Sequence, residues 1–203
     1  MTNLPAHIAV PVASAIILGV LCPSVVGAQE PPGEARVVDP IELDSSSTAR
    51  TKCYLHERYI VVERELLDEV GADLFVRARR SGRCDADSLP GDIVIRNDWA
   101  EYFAGLRGDV LIIDSGTGPD LRGLIVIDLR TRQRLLERSY VELVAGPDTT
   151  SIGIWDGFYL DRPAPGCKPP VGGLEPGIDS LFTLDLRTGD VRYAGRTRCA
   201  IRQ

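Results

Sequence analysis

The sequence predicts a mostly β protein: a single antiparallel β-sandwich or meandering barrel-like domain with one short helix and two disulfides. Three observations predict it. Apolar and polar residues alternate with period two from Cys53 onward, and two near-continuous apolar runs have the length of strands covered on both faces. An N-terminal export signal is followed by four cysteines, which pair in an oxidising compartment.

Residues 1–28 read as the signal. Ile8 to Val20 form an apolar stretch broken by Pro11, Ser14 and Gly19, and Val26-Gly27-Ala28 supplies the small residues before a cleavage site. The run is shorter than the roughly 20 residues that span a bilayer. The mature chain is therefore expected to begin at Gln29, to carry no membrane span, and to be periplasmic or secreted. Residues 29–50 hold Pro31, Pro32, Pro40 and Ser45-Ser46-Ser47-Thr48, with too little periodic apolar content to order, and read as a disordered leader. The β domain is placed at 51–203.

Within that domain, Cys53, Leu55, Tyr59 and Val61 share one face of a first strand. Leu74, Val76 and Ala78 alternate in a second. A hairpin with its mirror near Asp68 brings Cys53 close to Cys84 and predicts a Cys53–Cys84 disulfide. Trp99, Tyr102, Phe103 and Leu106 fall at helical spacing and predict one short helix against the sheet. Val110–Ile113 and Leu124–Ile127 are the two apolar runs. The loop from Gly157 to Gly177 is rich in Pro and Gly, and a Cys167–Cys199 bond would staple it. These two pairings close loops of 31 and 32 residues, whereas the other connectivities join distant segments.

Val126-Ile127-Asp128-Leu129-Arg130-Thr131 and Thr183-Leu184-Asp185-Leu186-Arg187-Thr188 resemble each other and the strand–turn–strand unit in blades of bacterial β-propellers. A propeller needs at least four blades of about 40 residues each. Two copies are read instead as a shared hairpin solution in a non-repeating domain.

Composition narrows the function. The net charge of −6 supplies no basic footprint, so nucleic acid is not expected as a partner. Only Lys52 and Lys168 are lysines among 23 basic residues, and the arginines are spread along the chain, which reads as a compositional bias. His56 is the one histidine after the signal, and no Gly-x-Ser-x-Gly element accompanies it. The four cysteines lack the close pairs of a zinc site. No cofactor and no metal is assigned.

Leu111-Ile112-Ile113-Asp114-Ser115-Gly116-Thr117-Gly118 resembles the active-site signature of aspartic proteases. The resemblance implies Asp114 as a catalytic carboxylate sharing one proton with a partner carboxylate. With one Asp-Ser-Gly in the chain, that activity requires a homodimer. The same loop admits a binding reading, in which Asp114, Gly116, Gly118, Asp120 and Arg122 are the ligand-binding residues. Gly116 and Gly118 amides beside Arg122 would receive an anion, or Asp114 and Asp120 a hard cation. Asp85, Asp87 and Asp92 form a second acidic loop. The function expected is an exported non-catalytic binding or structural protein with a protein, glycan or small-molecule partner; the alternative is the homodimeric aspartic-type peptidase.

Overall fold

Alternating apolar residues bury one face of a strand, whereas continuous apolar runs need cover on both faces. The chain meets both demands with three antiparallel sheets stacked in sequence. The structure, a computed structural model, describes residues 39–45, 48–118, 121–170 and 172–203. The export signal and residues 29–38 of the expected leader lie outside the described residues.

Strands β1 (Ile41–Ser45), β2 (Ala49–Leu55), β3 (Tyr59–Leu66), β4 (Ala72–Ala78) and β5 (Ile93–Ile95) form the first sheet in chain order. The second contains β6 (Glu101–Arg107), β7 (Val110–Ser115), β8 (Arg122–Asp128) and β9 (Gln133–Tyr140). The third contains β10 (Glu142–Ala145), β11 (Ser151–Tyr159), β12 (Glu175–Asp185) and β13 (Val191–Arg202). Residues 41–45 and 49–50, assigned to a leader on composition, are strand: β1 pairs with β2, with Ile41 opposite Cys53.

The two apolar runs lie in the central sheet. Leu111, Ile113 and Ile125 pack with Val61, Leu74 and Val76 of the first sheet. From the opposite face, Ile112, Leu124 and Val126 pack with Ile152, Ile154 and Leu184 of the third. Both disulfides form as expected, Cys53–Cys84 and Cys167–Cys199. The outward face of the first sheet, with Ile60, Val62 and Phe75, is packed by Leu43 and Cys84.

Two expectations need correction. No helix occurs among the described residues, and Tyr102, Phe103 and Leu106 lie in β6. A bulge between Phe103 and Gly105 inserts Ala104, so Phe103 faces Ile113 while Leu106 faces Leu111 on the same side. One extra residue turns the strand period into an i, i+3 spacing and imitates a helix. The Cys53 hairpin is also two hairpins. β3 pairs with β4 about the expected mirror, with Glu65 opposite Ala72, but the chain first turns at His56–Arg58. Cys53 therefore sits on β2 opposite Val62, one strand away.

The non-repeating domain expected from the two resembling segments needs correction as well, because both belong to a structural repeat. They end the third strands of the second and third sheets and turn the chain into the fourth. Asp128 accepts the Arg130 N–H and Asp185 the Arg187 N–H, each at 2.8 Å. The Leu129 and Leu186 amides donate to Asp109 and Thr150 carbonyls in the first hairpin turns of their own sheets, both at 2.8 Å. Arg79, leaving β4, donates to Arg58 in the corresponding turn at 3.0 Å. One four-stranded meander is thus built three times, and β1 is an addition to the first copy.

Candidate functional site

Asp114, the penultimate residue of β7, faces the third sheet, on the side that also carries Ile112. Its side chain is 12% exposed. The Tyr140 hydroxyl donates to Oδ1 at 2.7 Å, and Arg122 meets Oδ2 at 2.7 Å. Arg122 Nη2 also donates to the Tyr140 oxygen at 3.1 Å, closing a triangle. Burial, then the hydrogen bond to Asp114, pushes the Tyr140 phenol up to about 12, so it remains a donor at neutral pH. Beside this triangle Arg138 pairs with Asp156 across the second and third sheets, and Ser139 donates to Asp156 at 3.1 Å.

The rest of the Asp114 loop is tied to the segment before β6. The Gly116 amide donates to the Ala100 carbonyl at 3.0 Å, and the Ser115 hydroxyl donates to the Trp99 carbonyl at 2.9 Å. Gly118 is exposed, and Asp120 lies outside the described residues. The structure brings Asp114 and Arg122 together and directs the Gly116 amide to backbone. Of the second acidic loop, Asp92 pairs with Arg77 at 2.8 Å, and Asp85 accepts the Asp87 amide at 3.2 Å. No group of three or more His, Cys, Asp or Glu side chains suited to a metal occurs among the described residues. His56 packs edge-on to Phe103, and burial, then Arg79, lowers its pKa.

The loop does, however, border a cleft. Glu69 and Val70 from the β3–β4 turn form one wall, Asn97 to Ala100 the other, and Thr117 the end, around about 390 Å³. Trp99 stands in it 73% exposed, beside Val70 at 57%. The backbone carrying this indole is closely held. Glu101, buried at 6%, accepts the Asp98 and Trp99 amides at 2.7 and 2.6 Å. Asn97 accepts the Glu101 amide at 3.2 Å, donates to the Val70 carbonyl at 2.8 Å, and gives its own amide to Asp73 at 3.0 Å. Ala100 adopts φ of 54°, a left-handed conformation that costs a non-glycine residue of order 1 kcal/mol and concentrates at functional segments.

No known protein family, curated protein or solved structure matches this chain. The site therefore rests on its geometry.

Sequence reasoning missed the Trp99 cleft because Trp99 completes the helical stripe with the three β6 residues. The contrary signal was Asn97-Asp98, a turn dipeptide directly before the tryptophan, which favours a corner over helix continuation.

Proposed function

We propose that the protein is an exported, non-catalytic binding protein whose ligand site is the Trp99 cleft, and that the ligand is a glycan. The observation that carries this reading is a solvent-facing indole on a turn held by seven hydrogen bonds. A turn ordered to that degree loses little entropy when a ligand seats on its side chain. The indole and Val70 offer an apolar plate to the C–H face of a sugar ring. Glu69, Asp98 and Thr117 line the same cleft, and their carboxylates and hydroxyl suit the hydroxyls of a sugar ring. Two disulfides accord with an oxidising compartment. Cleavage after Ala28, with periplasmic or secreted residence, completes the proposal.

Trp99 and Trp155 are the two tryptophans, and Trp155 is 6% exposed, so emission quenched by an aqueous quencher reports Trp99. Titration with a panel of soluble oligosaccharides should shift that emission for at least one member, and Trp99→Ala should abolish binding without lowering the melting temperature. If no sugar protects Trp99 from quenching, the glycan assignment fails.

The peptidase alternative needs two Asp114 carboxylates meeting across a twofold axis. The Asp114–Tyr140–Arg122 triangle supports a structural role instead. Asp114→Asn should lower stability by about 1–3 kcal/mol, the range for weakening a buried hydrogen-bonded carboxylate, and leave sugar binding unchanged. Acid-optimal hydrolysis of an unfolded protein, lost in Asp114→Asn, would instead support the peptidase.

A further inference from the structure

We propose that strand β13 accepts an acidic, extended peptide as an additional strand, with Arg196 as the principal anchor. β13 is the outer edge of the third sheet and runs for 12 residues, about twice a usual strand. Arg192 to Cys199 are all exposed. Among the described residues, β13 pairs through its backbone with β12 alone, leaving the opposite row of amides and carbonyls open to a further strand. A bulge and glycine at Ala194–Gly195 separate a short first stretch from the straight stretch beginning at Arg196.

The chemistry of this edge selects its occupant. β13 carries four arginines and no carboxylate, in a chain of net charge −6. Arg202 is buried against Asp179, and Arg198 is held between Asp179 at 2.9 Å and Glu142 at 2.7 Å. Arg196 makes no ion pair among the described residues; its guanidinium lies over the Trp155 ring, 5.7 Å from the centroid. Arg192 reaches no carboxylate nearer than Asp190 at 4.0 Å. Behind the strand, the outer sheet face is open as a groove of about 430 Å³ that runs from Ala145–Pro147 across Gly153 and Leu181 to Arg196. A basic edge repels another β13, which would set arginines against arginines, and so disfavours self-pairing. The same charges favour a strand that alternates carboxylates.

The test uses the mature protein carrying Trp99→Phe, so that emission reports Trp155 beneath the arginines and the Trp99 cleft is silent. The probe is a peptide of Glu-Thr repeats matched to the 12 residues of β13. Binding should shift Trp155 emission, slow amide exchange along Arg196–Ile201, and weaken about tenfold or more in Arg192→Gln/Arg196→Gln. The proposal is overturned if the peptide does not bind, if a Lys-Thr peptide binds equally, or if binding leaves the β13 amides exchanging at their free rate.

Discussion

Glu63 is a buried carboxyl whose pKa the fold moves upward. It lies between the first and second sheets at 4% exposure, accepting the Tyr54 hydroxyl at 2.8 Å and the Phe103 amide at 2.9 Å. Burial raises its pKa, and the Phe103 amide, the Tyr54 hydroxyl and Lys52 oppose that shift without cancelling it. A carboxyl with a raised folded pKa holds more protons folded than unfolded between the two values, so stability falls as pH rises through that window. Asp73 has the opposite sign. Its burial is outweighed by the Asn97 amide and by Arg96 and Arg64, which hold its pKa low; its contribution is present at neutral pH and lost as pH falls through the lowered value. Glu63→Gln keeps an acceptor for Phe103 and removes the titration. The stability of this variant relative to the parent should therefore increase as pH rises from the ordinary glutamate value through the raised folded value. Urea unfolding at several pH values measures the difference, and a flat profile would show that Glu63 is not titrating in that range.

At the scale of elements, the repeated hairpins provide an internal control on backbone strain. The corner after Asp128 places Arg132 at φ of 59°, and the corner after Asp185 places Gly189 at 77° in the matching position. The left-handed conformation costs a side-chain-bearing residue about 1–2 kcal/mol, which glycine avoids. Arg132→Gly should accordingly raise stability by up to about 1 kcal/mol after the added chain entropy of glycine is subtracted. Gly189→Ala should lower it, since a methyl there also meets the Leu135 carbonyl oxygen at 3.1 Å. Paired thermal unfolding of the two variants reads both signs, and a destabilised Arg132→Gly would mean that the Arg132 side chain has a role outweighing its strain.

These hairpins also show what the sequence made legible. Val126–Thr131 and Thr183–Thr188 advertise the same corner because Asp, Leu, Arg and Thr each serve a local bond in it. The third copy after β4, Ala78-Arg79-Arg80-Ser81, keeps only the arginine of those letters, at Arg80, and is recognisable chiefly by the Arg79-to-Arg58 hydrogen bond. Local chemistry is readable from composition; equivalent backbone geometry with different residues is not. The β6 bulge escaped for a related reason, because one inserted alanine changes the phase of every later residue. Asp114 was legible as the end of a buried strand, whereas its partner Tyr140 lies 26 residues away and meets it through the pairing of β8 with β9. The Arg192–Arg202 cluster was hidden in a count taken over the whole chain.

For the whole molecule, the arrangement of three like sheets leaves two outer faces, and they are treated differently. The first is packed by Leu43 and Cys84, with Cys53 at its centre and 0% exposed. The last is covered at one end only by its own long side chains, and open over Gly153 and Leu181: Arg202 lies over Gly157 and Gly177, where an added Cβ at Gly157 would overlap its guanidinium, and Arg198 lies over Trp155. The two disulfides divide along the same line. They enclose loops of 31 and 32 residues, so chain entropy alone assigns each about 3–4 kcal/mol. Packing separates them, because Cys53 is wholly buried and Cys84 packs in the same cluster, whereas Cys199 is exposed. Replacing Cys53 and Cys84 together by Ala should therefore cost the loop term plus the lost sulfur contacts, and release the packed face of the first sheet. Replacing Cys167 and Cys199 by Ala should cost close to the loop term, with the central sheet undisturbed. Urea unfolding of the two double variants isolates the packing contribution as their difference, since loop length cancels. Equal losses would mean that the buried bridge adds nothing beyond chain closure, and that strand β1 and the side chains of the outer face hold the first sheet without it.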